Sequence, residues 1–120
     1  MELKVIVAGG REFNDYDLAS KAIMELANET FPDREVSIVS GMVRGADALG
    51  VTFARNHCVQ LYEFPTNWDR YGKRAGFMRN EEMGKFVDVL LAFWDGKSPG
   101  SKHMIDFMKR LNKPVYVIPY

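Results

Sequence analysis

One cysteine, Cys58, is all the chain has. That excludes an internal disulfide and a multi-cysteine metal site. The thiol falls at a predicted helix-to-strand junction and is expected to be buried and inert. Charge of one sign is lacking as well: 16 Lys and Arg stand against 16 Asp and Glu. Such a chain has no sequence-wide attraction to nucleic acid or to an anionic membrane. The balance weighs against nucleic acid as a partner but leaves room for a local basic site. No stretch approaches the about 20 consecutive apolar residues of a membrane span. The apolar run in "MELKVIVAGG" is too short for a signal peptide, so no membrane partner and a cytoplasmic location are expected. His57 and His103 have no metal-ligand spacing, and no metal or cofactor is expected. Repeats, linkers and low-complexity segments are also missing.

What the chain has in quantity is apolar side chain, 47 % of 120 residues. That suits one folded domain with one real core, residues 1–120. Strand and helix patterns alternate along it. "LKVIVA" (3–8) is a continuous β-branched run, as in a strand buried on both faces. Residues 16–31 place Leu18, Ala22, Ile23 and Leu26 at helical spacing. Strands are predicted at 36–40, 59–64, 87–94 and 114–119, and helices at 47–57, 76–86 and 101–112. Residues 65–75 read as a polar loop containing aromatics. Each crossover between parallel strands needs a connection about as long as a helix. The alternation therefore predicts an α/β fold: a Rossmann-like, doubly wound, parallel five-stranded sheet with helices on both faces. The predicted strand order is 3-2-1-4-5.

In that architecture ligands sit at the carboxyl ends of the strands, so the loops after strands 1 to 4 carry the functional signal. After strand 1, Gly9 and Gly10 permit a tight turn and a bare backbone, and Arg11 offers a fork of donors to a phosphate. The G-x-G-x-x-G dinucleotide spacing is absent. After strand 2, "SGMVRGAD" puts Ser40, Gly41, Arg44 and Gly45 before a helix whose free N–H groups attract anions. Asp47 there reads first as a helix cap and second as an acceptor for a ribose or base. After strand 3, Trp68 and Tyr71 supply faces for a base among Arg70, Lys73, Arg74 and Arg79. After strand 4, Asp95 and Gly96 make a turn, and Ser98, Gly100 and Ser101 open the last helix as a phosphate seat. Eight cations lie on this rim, half of the chain's 16. Acids lie there too, which favours a small ligand bearing phosphate and ribose over a long polyanion.

Four ordered motifs, "VIVAGGREFND", "SGMVRGAD", "PTNWDRYGKRAGFMRNEEM" and "WDGKSPGS", resemble the YspA/YpsA-related branch of the SLOG superfamily across essentially the whole chain. That superfamily includes the Lonely Guy hydrolases and the DNA-processing protein A group. The resemblance implies a Rossmann-like domain, of phage or bacterial type, that binds or senses a nucleotide or nucleotide-derived molecule. Small relatives often form homodimers, so a homo-oligomer is expected. "RNEEM" is similar to the arginine motif of Lonely Guy enzymes, which carries over to Arg79; its neighbour Asn80 is a further candidate for ligand binding. "GSKHM" is similar to their phosphate motif, but Met104 stands where they have a catalytic glutamate. Cleavage of a nucleoside monophosphate is therefore the alternative function, with Arg79, Asp47 and Glu82 as candidate catalytic groups. Single-stranded nucleic-acid binding is the second alternative, ranked last because of the neutral charge and mixed rim.

Overall fold

The computed structural model describes residues 1–120, the side chain of Lys73 excepted; that loop cation therefore lies outside the described residues. Five strands, β1 (Glu2–Gly9), β2 (Glu35–Ser40), β3 (Leu61–Glu63), β4 (Val89–Trp94) and β5 (Val115–Pro119), form one sheet in the order β3-β2-β1-β4-β5. Every neighbouring pair is parallel. The predicted architecture and order are those observed.

The pleat of β1 explains the two layers. Leu3, Val5 and Val7 point to one face and Ile6 to the other, and all four are fully buried. The first face packs against α1 (Tyr16–Glu25), its π-helical extension Leu26–Thr30, and α2 (Ala46–His57). The second packs against α4 (Ala75–Phe86) and α5 (Pro99–Arg110), whose Met83, Met104, Ile105 and Met108 fill the space. Burying Met104 or Met108 wholly removes an unbranched side chain from water, worth roughly 2 kcal/mol each. Their flexibility lets them fill irregular gaps between two helices and a sheet.

Three local expectations need correction. The strand read at 59–64 pairs over three residues alone, because β3 is an edge strand with β2 as its one neighbour. The stretch 65–75, read as loop, contains a short helix α3 (Trp68–Tyr71) and a 3-10 turn over 72–74. Asn67 starts α3 by accepting the Arg70 N–H at 3.1 Å, a cap the loop reading overlooked. Cys58 is exposed, not buried: it takes the left-handed position (φ 52°) that ends α2, where the chain turns away from the core. Among the described residues, no helix is long and apolar enough to cross a membrane.

Candidate functional site

The connection after β1 leads to one side of the sheet and that after β4 to the other. The carboxyl ends of these adjacent strands therefore part to leave a crevice. A cleft of about 480 Å³ lies there. Of the expected site residues it collects Gly9, Gly10, Arg11, Asp47, Arg79, Asn80, Asp95, Ser98, Gly100 and Ser101. Met83 and Met104 are buried at its apolar side. A second, more open cleft of about 590 Å³ holds Gly41, Arg44 and Trp68, with Met42, Pro65 and Thr66. Arg11 and Val43 line both. Ser40, Gly45, Tyr71, Gly96 and Glu82 line neither.

The start of α5 leaves backbone donors free at the mouth of the first cleft. Ser98 is the N-cap, but its hydroxyl donates to Asp95 Oδ2 at 3.1 Å instead of accepting from the helix. Asp95 Oδ1 accepts the N–H groups of Lys97 (2.9 Å) and Ser98 (2.8 Å). Those amides, that of Ser98 first, hold its carboxyl below the usual range. Pro99 occupies the first helical position and has no N–H to satisfy. The first intrahelical bond runs from Lys102 N to Ser98 O at 3.1 Å. The N–H groups of Gly100 and Ser101 are thus left without a partner among the described residues, at the positive end of a helix dipole. The buried hydroxyl of Ser101 lines the same cleft.

Arginine supplies the other positive side. Arg79 reaches from α4 to donate from Nη1 to Gly41 O (2.7 Å) and Thr66 Oγ1 (3.1 Å), and from Nε to Asn80 Oδ1 (3.1 Å). Asn80 is buried and passes the contact on to Gly100 O at 3.2 Å. Burial, opposed by Asp47 and assisted by Arg11, holds the Arg79 guanidinium below its ordinary pKa. Arg11 is thus close enough to act on it as a like charge, and forms no ion pair among the described residues. Arg44 differs: it pairs with Glu12 at 2.8 Å, out in solvent.

Asp47 is not the helix cap. Gly45 takes that position with no side-chain bond, while Asp47 is the second residue of the helix and buried. Burial pushes its carboxyl up to about 6, against the opposing pull of Arg79 and of the amides of Val43, Asp47 and Gly41. The paired glycines of "SGMVRGAD" make room for the chain itself. A Cβ on Gly41 would overlap the Arg79 guanidinium and crowd Asp47 Oδ2 at 2.9 Å. One on Gly45 (φ 85°) would overlap Gly10 O, which accepts the Ala46 N–H at 3.2 Å. Gly100 is the contrast: a Cβ there would meet nothing within 4 Å.

Sequence reasoning missed Tyr120 and Thr66. The Tyr120 hydroxyl lies where a Cβ of Gly10 would be, and its ring tilts against Phe13 at 4.9 Å. Burial, then Asp95 and Glu12, raise its pKa. Its signal was topological, since Tyr120 follows β5 at the same sheet end as the other loops.

A family model described as "YspA, cpYpsA-related SLOG family" matches residues 3–71. Gene 61 protein of Mycobacterium phage D29 is 28 % identical, with 93 % of each chain covered. DNA processing protein A (DprA) of Streptococcus pneumoniae superposes on all of this chain with a TM-score of 0.78 at 18 % identity. The DNA processing protein A of Helicobacter pylori, described as binding single-stranded DNA, does so with 0.71 at 22 %. The chain spans 51 % and 66 % of those two proteins. These neighbours correct the expectation that weighed against nucleic acid. A protein of this fold binds single-stranded DNA, so charge balance is no argument against such a partner. The physical reason is that net charge averages over the whole surface, whereas Arg11 and Arg79 make a basic spot locally.

Proposed function

Because this chain belongs to the YspA, cpYpsA-related SLOG family, we propose that residues 1–120 act as one domain binding a nucleotide or nucleotide-derived molecule in the first cleft. Its phosphate sits between the start of α5 and Arg11, and its sugar lies toward Asp47 and Asn80. The observation that carries this reading is the pair of free N–H groups at Gly100 and Ser101. They belong to a helix whose own cap is turned away to Asp95. Neighbouring guanidinium groups support it, since a phosphate between Arg11 and Arg79 relieves their repulsion. Gly100 supports it too: packing does not demand a glycine there, so its bareness serves whatever enters.

Titration calorimetry with AMP, GMP, CMP and UMP tests the reading. At least one binds, and Gly100→Val weakens it by about 10- to 100-fold, the worth of one or more charge-assisted hydrogen bonds. The melting temperature does not fall, because a Cβ there meets nothing within 4 Å and valine is a better helix former than glycine. No binding by any of the four, or equal binding by the variant, overturns the reading.

One observation favours a second reading, hydrolysis at the glycosidic bond. Asp47 keeps a carboxyl near 6 inside the cleft, the range a general acid needs at neutral pH. Met104 leaves the site without the glutamate of Lonely Guy enzymes, and of the carboxyls lining the cleft Asp47 is the one that burial raises into that range. Free base released from AMP, and lost in Asp47→Asn while AMP still binds, is the expected result. Bound AMP that stays intact over hours retires this reading.

A further inference from the structure

Resting on the nucleotide reading above, we propose that the ligand carries two nucleosides joined through phosphate, one in each cleft, with the second base stacked on Trp68. The first observation is continuity. The two clefts meet at Arg11 and Val43, which line both. Each volume, about 480 and about 590 Å³, falls in the range of roughly 300–1,000 Å³ that suits one small ligand. A mononucleotide would leave the second cleft unused.

The second observation is where Trp68 stands. It is 52 % exposed and belongs to neither side of the core. It opens the short helix α3, whose first turn is fixed by Asn67, and a Cβ on Gly76 would lie 3.6 Å from its ring. The edge of the indole therefore lies against α4 while about half of the residue stays exposed. An exposed, positioned aromatic ring is a surface for a base, because every base has a π-face to stack on it.

The third observation is charge. Arg44, the other arginine of the second cleft, is neutralised by Glu12 at 2.8 Å. Arg11, on the shared wall, has no carboxylate partner among the described residues. Arg11 thus puts an unmatched positive charge between the clefts, where a bridging phosphate would pass. Arg79 makes the wall one unit: it lines the first cleft and holds Gly41 and Thr66 of the second by hydrogen bonds of 2.7 and 3.1 Å. Met42, also in the second cleft, adopts a left-handed backbone (φ 62°), a conformation that residues other than glycine seldom take.

Two sources supply such a ligand, a free pyrophosphate-linked dinucleotide and a stretch of single-stranded nucleic acid. Calorimetry with AMP, diadenosine diphosphate, the dinucleotide pdApdA and a ten-nucleotide oligodeoxyadenylate separates them. At least one two-base probe binds about tenfold or more tightly than AMP, the gain of stacking one further base. Trp68→Ala removes that gain and leaves AMP affinity unchanged, with a small fall in melting temperature from the lost contact with α4, while Trp68→Phe restores most of the gain. Preference for diadenosine diphosphate marks a free metabolite, and preference for the oligonucleotide marks a strand. If AMP binds but no two-base probe does better, or if Trp68→Ala weakens AMP equally, the inference is overturned and the nucleotide reading survives. If nothing binds, both fall.

Discussion

At pH 8, Arg79→Ala lowers the unfolding free energy by about 3 kcal/mol, the usual cost of leaving a buried charge without its counter-charge. The charge left behind is Asp47, buried beneath Gly41. Its carboxyl already sits near 6 with Arg79 present, and rises further once that opposing pull is gone. The sign of the pH effect follows. A carboxyl whose folded value lies above its ordinary 3.8 stabilises the fold fully below 3.8, and that stabilisation is lost as pH rises through about 6. In the unaltered protein the two-unit displacement amounts to a decline of up to about 3 kcal/mol between pH 4 and pH 7. The carboxylates held low, Glu2, Asp95 and Asp106, act in the opposite direction, below about pH 4.5. In the variant the decline keeps its slope, which one proton limits, but continues to a pH above 6, so its total is larger. Urea unfolding at pH 5 and pH 8 measures it. The variant is much closer to the parent at pH 5, where Asp47 is protonated in both. Adding Asp47→Asn recovers stability at pH 8. An equal loss at both pH values, unrelieved by Asp47→Asn, contradicts this account and assigns the cost to the lost bonds to Gly41, Thr66 and Asn80.

The sheet was legible because its information is local. "LKVIVA" and "VDVLLAFW" are apolar on both faces, as central strands between two helix layers must be. Strand order followed from the handedness and length of the connections. The rim was legible for the same reason, since parallel strands deliver all their loops to one end. What the loops do with each other was not. Gly41 and Gly45 look identical to glycines that admit a ligand, yet their space is taken by Arg79 and by the Gly10 carbonyl, residues distant in sequence. Gly10 faces Tyr120 from the opposite end of the chain. Asp47 at a helix start has the pattern of a cap, and only the depth of its burial and the approach of Arg79 from α4 give it another role. Trp68 and Gly100 were placed on one rim but fall in different clefts, because α3 folds where a loop was expected. Long-range contact decides between a glycine made bare for the chain and one made bare for a guest, and periodicity carries no trace of it.

Arg11→Glu separates ligand binding from folding more sharply than any other change, because its two effects have opposite signs. Arg11 is exposed and its charge opposes that of the half-buried Arg79. Reversing it removes that repulsion and places a carboxylate near Arg79, so the folded protein is as stable as before or slightly more so. An exposed pair of this kind is worth at most about 1 kcal/mol. Binding moves the other way. The phosphate loses a charge-assisted partner worth about 1.5–3 kcal/mol and meets a like charge instead, so affinity for AMP falls by about 100-fold or more. A ligand joined through phosphate across both clefts loses at least as much, since Arg11 stands on the wall they share. Raising the salt concentration weakens binding to the parent and has a smaller effect on the variant, because fewer charges are then being matched. Melting curves and calorimetry on the same preparation read both quantities. A variant that binds AMP as the parent does would remove Arg11 from the site, and one that unfolds would mean that Arg11 holds the loop after β1 against Gly45 and does not face the ligand at all.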